Sequence, residues 1–471
     1  MRYQMKASMV IAGLIALPLW AASFPALAGD ESSAPAPEAA EPKGFWERDT
    51  LTGNWGGLRD DLADNGLKFT ATYTGETLGN VSGGLRRRAV AEGLLQLDID
   101  ADLEKAMGWK GGLMHLTAFH IHGRQLSANF LGANLATVRD IEANPATRLY
   151  SVWFQQSVLD DMVSLRFGQL PMQEEFYTSA NSAYLLNGAF GWPLGFSANL
   201  PSSGSGYPVA NLGSRLKVQA TEQLAILAGV FTGDVAPGSA QVPDPQKRNR
   251  SGVDMRVDQP PLWLAEVDYG VNQEKDAEGL PAMFKLGGLY YNGRALDQRY
   301  DNTGLPLAAS DSSTVAKPKH GNWAVYGVID QMLWKTPGTA DGGLSTFFRT
   351  TVLPEDRNQL PFAFDTGLTY KGLFEGRDDD VAAIGFAYGR ISPALAARDS
   401  DARRMNTSTA QVRDFEAAVE LTYRYQVTPW WTIVPDAQYI FHPAGGAGLP
   451  DRPATPIPDA AVLGLRTVFK L

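Results

Sequence analysis

Strict alternation of apolar and polar residues is the feature that most constrains what this chain can fold into. From Leu95 to Glu104, every second residue is apolar and each residue between is Gln, Asp or Glu. The last segment, from Ala461 to Leu471, also separates an apolar face from one that carries Arg466. Because successive strand residues point to opposite faces, both segments predict strands that are apolar on one side only. Soluble antiparallel sheets alternate in the same way, so other features must decide between them and a membrane barrel.

An export signal is the first of these features. Arg2 and Lys6 precede an apolar run from Met9 to Leu17, and Ala26-Leu27-Ala28 supplies small residues at a cleavage site. This pattern predicts a signal peptide over residues 1–28. The Ala-, Pro- and Glu-rich residues 29–43 predict a disordered linker. Residues 44–471 then form the predicted barrel with an N-terminal periplasmic segment, and no later window has the roughly 20 apolar residues of a membrane helix.

Composition excludes several classes of function. The 471 residues include no cysteine, which excludes a disulfide scaffold and thiol chemistry, and the net charge of −10 argues against a nucleic-acid partner. Aromatic residues make up 10% of the chain, although its mean hydropathy is only −0.18. That average is expected when lipid-facing and water-facing residues alternate. No phosphate-binding loop or nucleophile elbow occurs, and no cofactor is predicted.

The connections between alternating segments favour a barrel. About 16 such segments occur, an even number within the range of bacterial outer-membrane barrels. The segment at 283–292 is one of them. Connections are either short, as at 157–161, or long, as at 170–214 and 293–322, and outer-membrane barrels sort their turns and loops in this way. Before the first strand, residues 54–66 predict a short helix. We therefore predict an all-β fold, a transmembrane antiparallel β-barrel of about 16 strands with a short N-terminal helix.

Four sequence runs identify a family resemblance. GFWER at 44–48, LTGNWGGLR at 51–59, RLYSVWFQQ at 148–156 and VTPWW at 427–431 resemble the carbohydrate-selective outer-membrane porins of the OprB family. The resemblance extends over nearly the whole chain after the signal peptide. It implies a barrel in the bacterial outer membrane with an inward-folded loop, used for diffusion of sugars.

The chain departs from the family pattern at two places. It ends in Phe469-Lys470-Leu471, whereas such porins usually end in an aromatic residue that the barrel-assembly machinery reads. Ser151 and Gln155 stand where the family would have acidic residues, which changes the polarity of that wall.

Channel-lining residues are expected on the polar register of the strands, where they can hydrogen-bond sugar hydroxyls. An indole also suits stacking on the apolar face of a pyranose, whereas the alternative for such a residue is an interfacial aromatic girdle. The candidates for lining the channel or contacting sugar are Trp153, Asp98, Asp100, Arg166, Arg349, Glu420, Arg424, Asp436, Gln438 and Arg466.

Other polar clusters give weaker indications of function. His120 and His122 share one strand face, with His115 nearby, but no acid or Cys completes a metal site, so no metal is predicted. Arg86-Arg87-Arg88 and Asp378-Asp379-Asp380 fall in connections and are interpreted as solvated charge runs, the arginines being placed to meet lipid phosphates.

We predict a porin for facilitated diffusion of monosaccharides or small oligosaccharides, and not an enzyme. The alternative is a general or anion-preferring porin, because Arg166, Arg349, Arg424 and Arg466 would together make a positive constriction. A barrel hydrolase is much less supported, since no nucleophile, base and orienting group come together. The predicted partners are carbohydrates, outer-membrane lipids and the barrel-assembly machinery, with no nucleic acid.

Overall fold

A closed antiparallel β-barrel of 16 strands forms the body of the protein. The computed structural model describes residues 44–133, 135–238, 242–274, 277–339 and 341–471. The predicted signal peptide (1–28) and linker (29–43) lie outside the described residues. The predicted fold class is confirmed. Among the described residues, no helix has the length and apolar character needed to cross a membrane.

Each strand pairs with its neighbour in sequence, and the first strand pairs with the last, from Thr72 opposite Lys470 to Asn80 opposite Val462. A two-stranded hairpin of β16 (Gly448–Leu449) and β17 (Arg452–Pro456) precedes the last strand, β18 (Ala460–Lys470). The other barrel strands are β1 (Leu67–Ser82), β2 (Arg88–Asp102), β3 (Gly112–Gly123), β4 (Ala146–Val158), β5 (Val163–Leu170), β6 (Asn211–Gln219), β7 (Leu224–Thr232), β8 (Pro261–Val271), β9 (Ala282–Asp301), β10 (Ala316–Lys335), β11 (Gly343–Val352), β12 (Phe362–Lys371), β13 (Val381–Arg390), β14 (Phe415–Thr428) and β15 (Trp431–Phe441).

The helices are short and lie in the connections. The predicted N-terminal helix is present as α1 and leads directly into β1. The longest helix, α5, begins where the Ser392 hydroxyl accepts hydrogen bonds from the Ala394 and Leu395 amides, a typical N-cap. The helices are α1 (Leu58–Asp64), α2 (Leu103–Met107), α3 (Leu194–Ser197), α4 (Pro245–Arg248), α5 (Pro393–Arg404) and α6 (Pro443–Gly446).

The two rims of the barrel differ in the length of their connections. Short turns join β4 to β5, β6 to β7 and β14 to β15, on the rim where α1 and the end of β18 lie. The long connections, at 124–145, 171–210, 233–260 and 391–414, lie on the opposite rim. Because outer-membrane barrels have short periplasmic turns and long extracellular loops, the rim with the long connections faces the cell exterior.

One predicted loop is in part strand. Residues 293–322 were expected to form a long loop, but β9 continues to Asp301 and β10 begins at Ala316. The ladder persists there, with Ala295 opposite Lys319. Lys319 also forms ion pairs with Asp297, at 3.3 Å, and Asp356, at 2.9 Å. Both faces of this hairpin carry polar residues because it projects beyond the apolar band, so the alternation that indicates a strand is absent.

Two extracellular connections fold into the lumen. The long inner loop (residues 171–210) packs Tyr177 and Phe196 against Tyr326 of β10, with ring centroids 5.3 Å and 5.7 Å from the Tyr326 ring. The short inner loop (residues 124–145) buries Leu126 and Leu131 completely. The amide of Gly188 donates to the carbonyl of Thr137 at 2.7 Å, which joins the two loops. The lumen is therefore partly filled by folded chain, and the remaining passage runs beside these loops.

Candidate functional site

Lumen-facing side chains hold the backbone of the long inner loop. The carboxylate of Glu266 accepts a hydrogen bond from the Tyr177 amide at 2.8 Å. Glu420 accepts from the amides of Leu186 and Asn187, the second at 2.8 Å. These amides belong to short 3-10 turns and irregular backbone, which have no ladder partner of their own. Alternate residues of β8 and β14 thus supply acceptors that the loop backbone lacks.

Asp330 of β10 is a third anchor and binds one turn of the long inner loop. Its carboxylate accepts hydrogen bonds from the Ser179 hydroxyl at 2.8 Å and from the amides of Ala180 at 3.2 Å and Asn181 at 3.3 Å. The side-chain amide of Asn181 adds a fourth at 3.0 Å. A single carboxylate with four donors fixes the local path of the loop, because charge-assisted hydrogen bonds are stronger than neutral ones.

Arg349 of β11 lies entirely beneath the long inner loop. Its guanidinium pairs with Asp365 at 2.7 Å and donates to the carbonyls of Ala189, at 3.1 Å, and Gly191, at 3.2 Å. The guanidinium carbon also lies 4.9 Å from the centroid of the Tyr177 ring. With a relative exposure of 2%, Arg349 is almost completely buried, although it borders the cavity between the inner loops. We call Glu266, Asp330, Arg349, Glu420 and Gln438 the anchoring set.

The short inner loop has its own anchors. Arg139, which is completely buried, pairs with Glu92 at 3.0 Å and lies 3.7 Å from Glu76. Gln438, of the anchoring set, donates to the Val138 carbonyl at 2.8 Å. Within the loop, the Glu142 carboxylate accepts from the Ser127 amide and hydroxyl, and burial raises the pKa of Glu142. The loop is thereby fixed against β1, β2 and β15.

A cavity of about 650 Å³ lies between the two inner loops and the wall of β2–β4. Gln96 and Tyr150 line it from the strands, Asp140 from the short inner loop, and Glu174 from the long inner loop. It is open and has both polar and apolar lining, as expected of a passage for a small hydrated solute.

Two arginine clusters line the open part of the lumen. Arg166 of β5 and Arg215 of β6 share the carboxylate of Glu175, the Arg215 contact being 2.7 Å, and both donate to Gln155. Arg466 of β18 pairs with Glu76 and with Asp140 of the short inner loop. Cations and carboxylates therefore lie side by side in these two clusters, and each of the three arginines is beside a group that accepts.

Glu174 differs from its neighbour Glu175, because no arginine of the described residues lies within ion-pair distance of it. Its side chain reaches the water of the lumen, although the barrel surrounds it. Desolvation by these surroundings, followed by the negative charge of Glu175, raises the pKa of Glu174 to about 7. Glu174 can therefore change its charge near neutral pH.

Asp98 and Asp100 on β2 belong to a second polar network. Asp98 accepts from the Thr117 hydroxyl at 2.7 Å and from Gln96 at 3.0 Å. Asp100 lies 2.7 Å from Nδ1 of His115, whose Nε2 is 2.8 Å from the Thr117 hydroxyl. His120 and His122, in contrast, have the opposite register and lie on the outer face. No group of three or more possible metal ligands occurs in the described part of the chain.

Trp153 lies on the lumen register with Gln155, but little of its ring is accessible. Its exposure is 7%. His115 of β3 stacks on it with ring centroids 4.7 Å apart, and the Arg166 guanidinium of β5 lies 3.6 Å from its centroid. Because β3 and β5 flank β4, the two contacts approach from opposite sides. The neighbouring residue Phe154 is on the outer face and contacts Phe167 at 5.4 Å.

The structure divides the predicted site residues into two groups. Five of them are at least partly exposed to the lumen, and we call these the lining set: Asp98, Asp100, Arg166, Arg424 and Arg466. The other five are buried: Trp153, Arg349, Glu420, Asp436 and Gln438. Strand periodicity could not identify Asp140 and Glu174, because they lie on the inner loops. The only signal for Glu174 was its place in the acidic pair Glu174-Glu175, just after a strand.

Comparison with known proteins connects this geometry to a family. A model of the carbohydrate-selective porin, OprB family, matches residues 86–471. Porin B of Pseudomonas aeruginosa is 26% identical over 433 residues, which cover 88% of this chain and 90% of that protein. The high-pH structure of Pseudomonas putida OprB has a TM-score of 0.80 at 24% identity and covers 91% of this chain and all of that one. The low-pH structure of the same protein has a TM-score of 0.54 at 20% identity, covering 90% and 99%.

Proposed function

Because the chain belongs to the OprB family of carbohydrate-selective porins, we propose that sugars are selected in the passage between its two inner loops. The protein is an outer-membrane porin for carbohydrates, a channel rather than an enzyme. The observation that carries the proposal is the mixed charge of the passage, where Arg166 and Arg466 lie beside Glu175 and Asp140. Each sugar hydroxyl both donates and accepts, so a lining with paired donors and acceptors suits a neutral polyol better than an ion.

In this proposal the lining set contacts the solute. Arg166 and Arg466 donate to sugar oxygens, and Asp98 accepts from sugar hydroxyls together with Asp140 and Glu174. Arg424 lies farther along β14, beside a second opening lined by Lys371 and Lys470, and meets the solute on the periplasmic side. The anchoring set does not touch the solute and instead holds the loops that narrow the passage.

Trp153 has a different role from the lining and anchoring residues. With His115 and Arg166 at its faces, the indole orients the Arg166 guanidinium toward the passage by a cation–π contact. A sugar would stack on this ring only after Arg166 had moved away. We therefore propose that Trp153 acts on sugar through Arg166.

The alternative, an anion-preferring porin, has support from the number of arginines in the lumen. Against it, Glu175 pairs with both Arg166 and Arg215, and Arg466 is paired with Glu76 and Asp140. Arg349 is buried with Asp365. These pairings neutralise most of the positive charge. For the hydrolase alternative, we propose that the lumen carries no catalytic function, because most of its acidic groups, such as Glu175, Glu76 and Glu420, are used in ion pairs and loop anchoring.

Ion current through single channels in planar bilayers tests the proposed function. We expect a monosaccharide to block the wild-type current with an affinity of about millimolar, because a transported solute must both bind and leave. Arg166→Gln should weaken the block, whereas Arg390→Gln, on the exposed outer end of β13, should not. A wild-type current that is insensitive to a panel of sugars and strongly anion-selective would favour the general porin.

We also propose that Phe469 supplies the aromatic contact that the assembly machinery reads. Phe469 stacks with Trp431 at 5.8 Å and Trp430 at 6.4 Å, on the outer face near the end of the chain. Lys470 points to the other face. Phe469→Ala should therefore lower the yield of folded barrel far more than Lys470→Ala, as judged by heat-modifiable migration on a gel. Equal yields would exclude this role for Phe469.

A further inference from the structure

Four arginines on the extracellular rim have no acidic partner. Arg86, Arg87 and Arg88 lie in and just after the turn between β1 and β2, and Arg124 follows β3. All four are exposed, and none lies within 4.0 Å of a carboxylate of the described residues. We call them the rim arginines. The backbone amide of Arg124 donates to the Ala91 carbonyl of β2 at 3.1 Å, so the four belong to one stretch of the rim.

Several other cations of the same rim are paired, although Arg294, Lys317 and Arg403 also have no ion pair among the described residues, so the rim arginines are distinguished by their grouping. Arg413 binds Asp399 at 2.8 Å, Arg299 binds Asp401 at 2.9 Å, and Arg390 lies 3.8 Å from Glu355. The contrast matters because the whole chain is acidic, with a net charge of −10. A local excess of positive charge on an acidic protein indicates an anionic partner.

The turn that carries the rim arginines has a fixed backbone. The amides of Leu85 and Arg86 both donate to the Phe130 carbonyl at 2.9 Å. The side-chain amide of Asn80 bridges the turn by donating to the carbonyls of Gly83, at 2.9 Å, and Arg86, at 3.0 Å. The guanidinium carbon of Arg88 lies 6.0 Å from the Phe130 ring centroid. The arginines are thus presented from an ordered support, which lowers the entropic cost of binding a ligand.

Beneath the rim arginines, the outer face of the barrel carries several residues with small side chains. Glu76 and Glu92 point into the lumen, so the alternate residues of β1 and β2 face outward, and among these Gly75, Gly79, Ala89, Ala91 and Gly93 are small, whereas Tyr73, Thr77 and Val81 are larger. The ring of His122 lies across Gly93, where an added Cβ would be 2.4 Å from its Nε2. That Nε2 is 3.2 Å from the Tyr73 hydroxyl. The outer face is therefore shallow and apolar at Gly79, Ala89 and Ala91, directly below the rim arginines, and the Tyr73 and His122 rings bound it on the side away from the rim.

The strands from β12 to β15 have a different outer surface. There the extracellular ends of the strands carry a belt of aromatic rings in mutual contact, of the kind that marks the interface of lipid and water. Phe364 contacts Tyr388 at 5.6 Å, Tyr388 contacts Phe415 at 5.4 Å, and Tyr439 contacts Phe441 at 4.7 Å. The rim arginines occupy the corresponding level on β1 and β2.

We propose that the rim arginines and the small-residue face below them bind a phosphorylated glycolipid of the outer leaflet. Guanidinium groups pair with phosphate in a bidentate way, and several basic residues at a membrane surface act together on an anionic lipid. The acyl chains lie along the outer face of β1–β2, beginning at the small residues Gly79, Ala89 and Ala91 directly below the arginines.

The test uses the full refolded barrel in neutral detergent, titrated with fluorescently labelled lipopolysaccharide. The triple variant Arg86→Gln, Arg87→Gln, Arg88→Gln should bind at least about tenfold more weakly than wild type. The matched control removes three cations elsewhere on the same rim, Lys317→Gln, Arg390→Gln and Arg403→Gln, and should bind like wild type. Replacing the three arginines by lysine should restore part of the affinity, since the charge returns without the bidentate geometry.

Further arms identify the ligand. Dephosphorylated lipid A should compete poorly, and inorganic phosphate should not compete at millimolar concentration, because the acyl chains contribute to binding. Equal affinity of the triple variant and wild type would overturn the proposal, as would competition by free phosphate or a native assembly in which a second barrel covers β1–β3. Sugar block of the current should persist in the triple variant if it folds. A variant that fails to fold is replaced by Arg124→Gln, which should weaken binding by about threefold or more.

Discussion

The anchoring set and the lining set consist of the same residue types on the same strand register, but their roles differ. The anchoring set holds the inner loops, whereas the lining set faces the passage. Arg349 is buried beneath the long inner loop, where it holds two backbone carbonyls, whereas Arg424 remains accessible from the lumen. Both arginines point from their strands toward the inside of the barrel. What separates them is the loop of residues 171–210, which covers one part of the wall and leaves the other open. Whether a charged residue inside a barrel has a structural role or lines the channel therefore depends on whether a loop, distant in sequence, folds over it.

The strongest test of this difference exchanges the two arginines for a residue of similar length without charge. Arg349→Met leaves Asp365 buried without its partner, and we expect a loss of about 3–5 kcal/mol in the free energy of unfolding. Arg424→Met removes a cation without an ion pair and should cost no more than about 0.5 kcal/mol. The measurement is urea unfolding, followed by the shift between folded and unfolded bands on a gel. Similar losses in the two variants would show that the loop does not distinguish the two positions.

The second prediction concerns the motion of the loop rather than the stability of the barrel. Asp330→Asn removes the charge that strengthens four hydrogen bonds to residues 179–181 and replaces one acceptor by a donor. Each hydrogen bond to a charged group contributes about 1.5–3 kcal/mol, so the turn should detach part of the time. Single-channel recordings should then display additional current levels that wild type lacks.

Asp98→Asn is the matched control for this prediction. It removes the same charge from a lining residue that contacts Thr117 and Gln96 but no inner loop. We expect it to change the mean conductance without adding current levels. If both variants had the same noise as wild type, the Asp330 contacts would not limit the loop.

The fold could be predicted from the sequence because the apolar band imposes its periodicity on every strand that crosses it. The alternation that begins at Leu95 gives both the strand, as far as Asp102, and the face that Asp98 presents to the lumen, whereas Leu103 and Glu104 belong to α2. The same rule failed for the upper part of β9 and β10, where Lys319 and its acidic partners Asp297 and Asp356 belong to a hairpin that projects above the apolar band. The alternating pattern of a strand can be recognised in the sequence only where one face of the strand contacts lipid.

The candidate site was less accessible to sequence reasoning. Periodicity places Glu420 and Gln438 toward the lumen, but it contains no information about a loop that folds over them. Asp140 and Glu174 were missed for the complementary reason, since they belong to the loops and have no strand register. Trp153 illustrates both limits, because its face was predictable, whereas its contacts with His115 and Arg166 depend on the neighbouring strands.

The smallest expected effect concerns Glu174, which lies where the covered and open parts of the lumen meet. Its pKa of about 7 means that the carboxyl is mostly protonated at pH 6 and mostly charged at pH 8. The passage therefore gains negative charge as pH rises, and the permeability of sodium relative to chloride should increase modestly from pH 6 to pH 8 in wild type. Glu174→Gln should remove this increase, while Glu222→Gln, in the short periplasmic turn between β6 and β7, should keep it. The measurement is the reversal potential in a salt gradient at about 0.1 M, where the screening length of about 10 Å still lets one charge act across the passage. An unchanged pH dependence in Glu174→Gln would mean that another group titrates. The charge of Glu174, in the open part of the lumen, would then be as constant between pH 6 and pH 8 as the charges in the covered part.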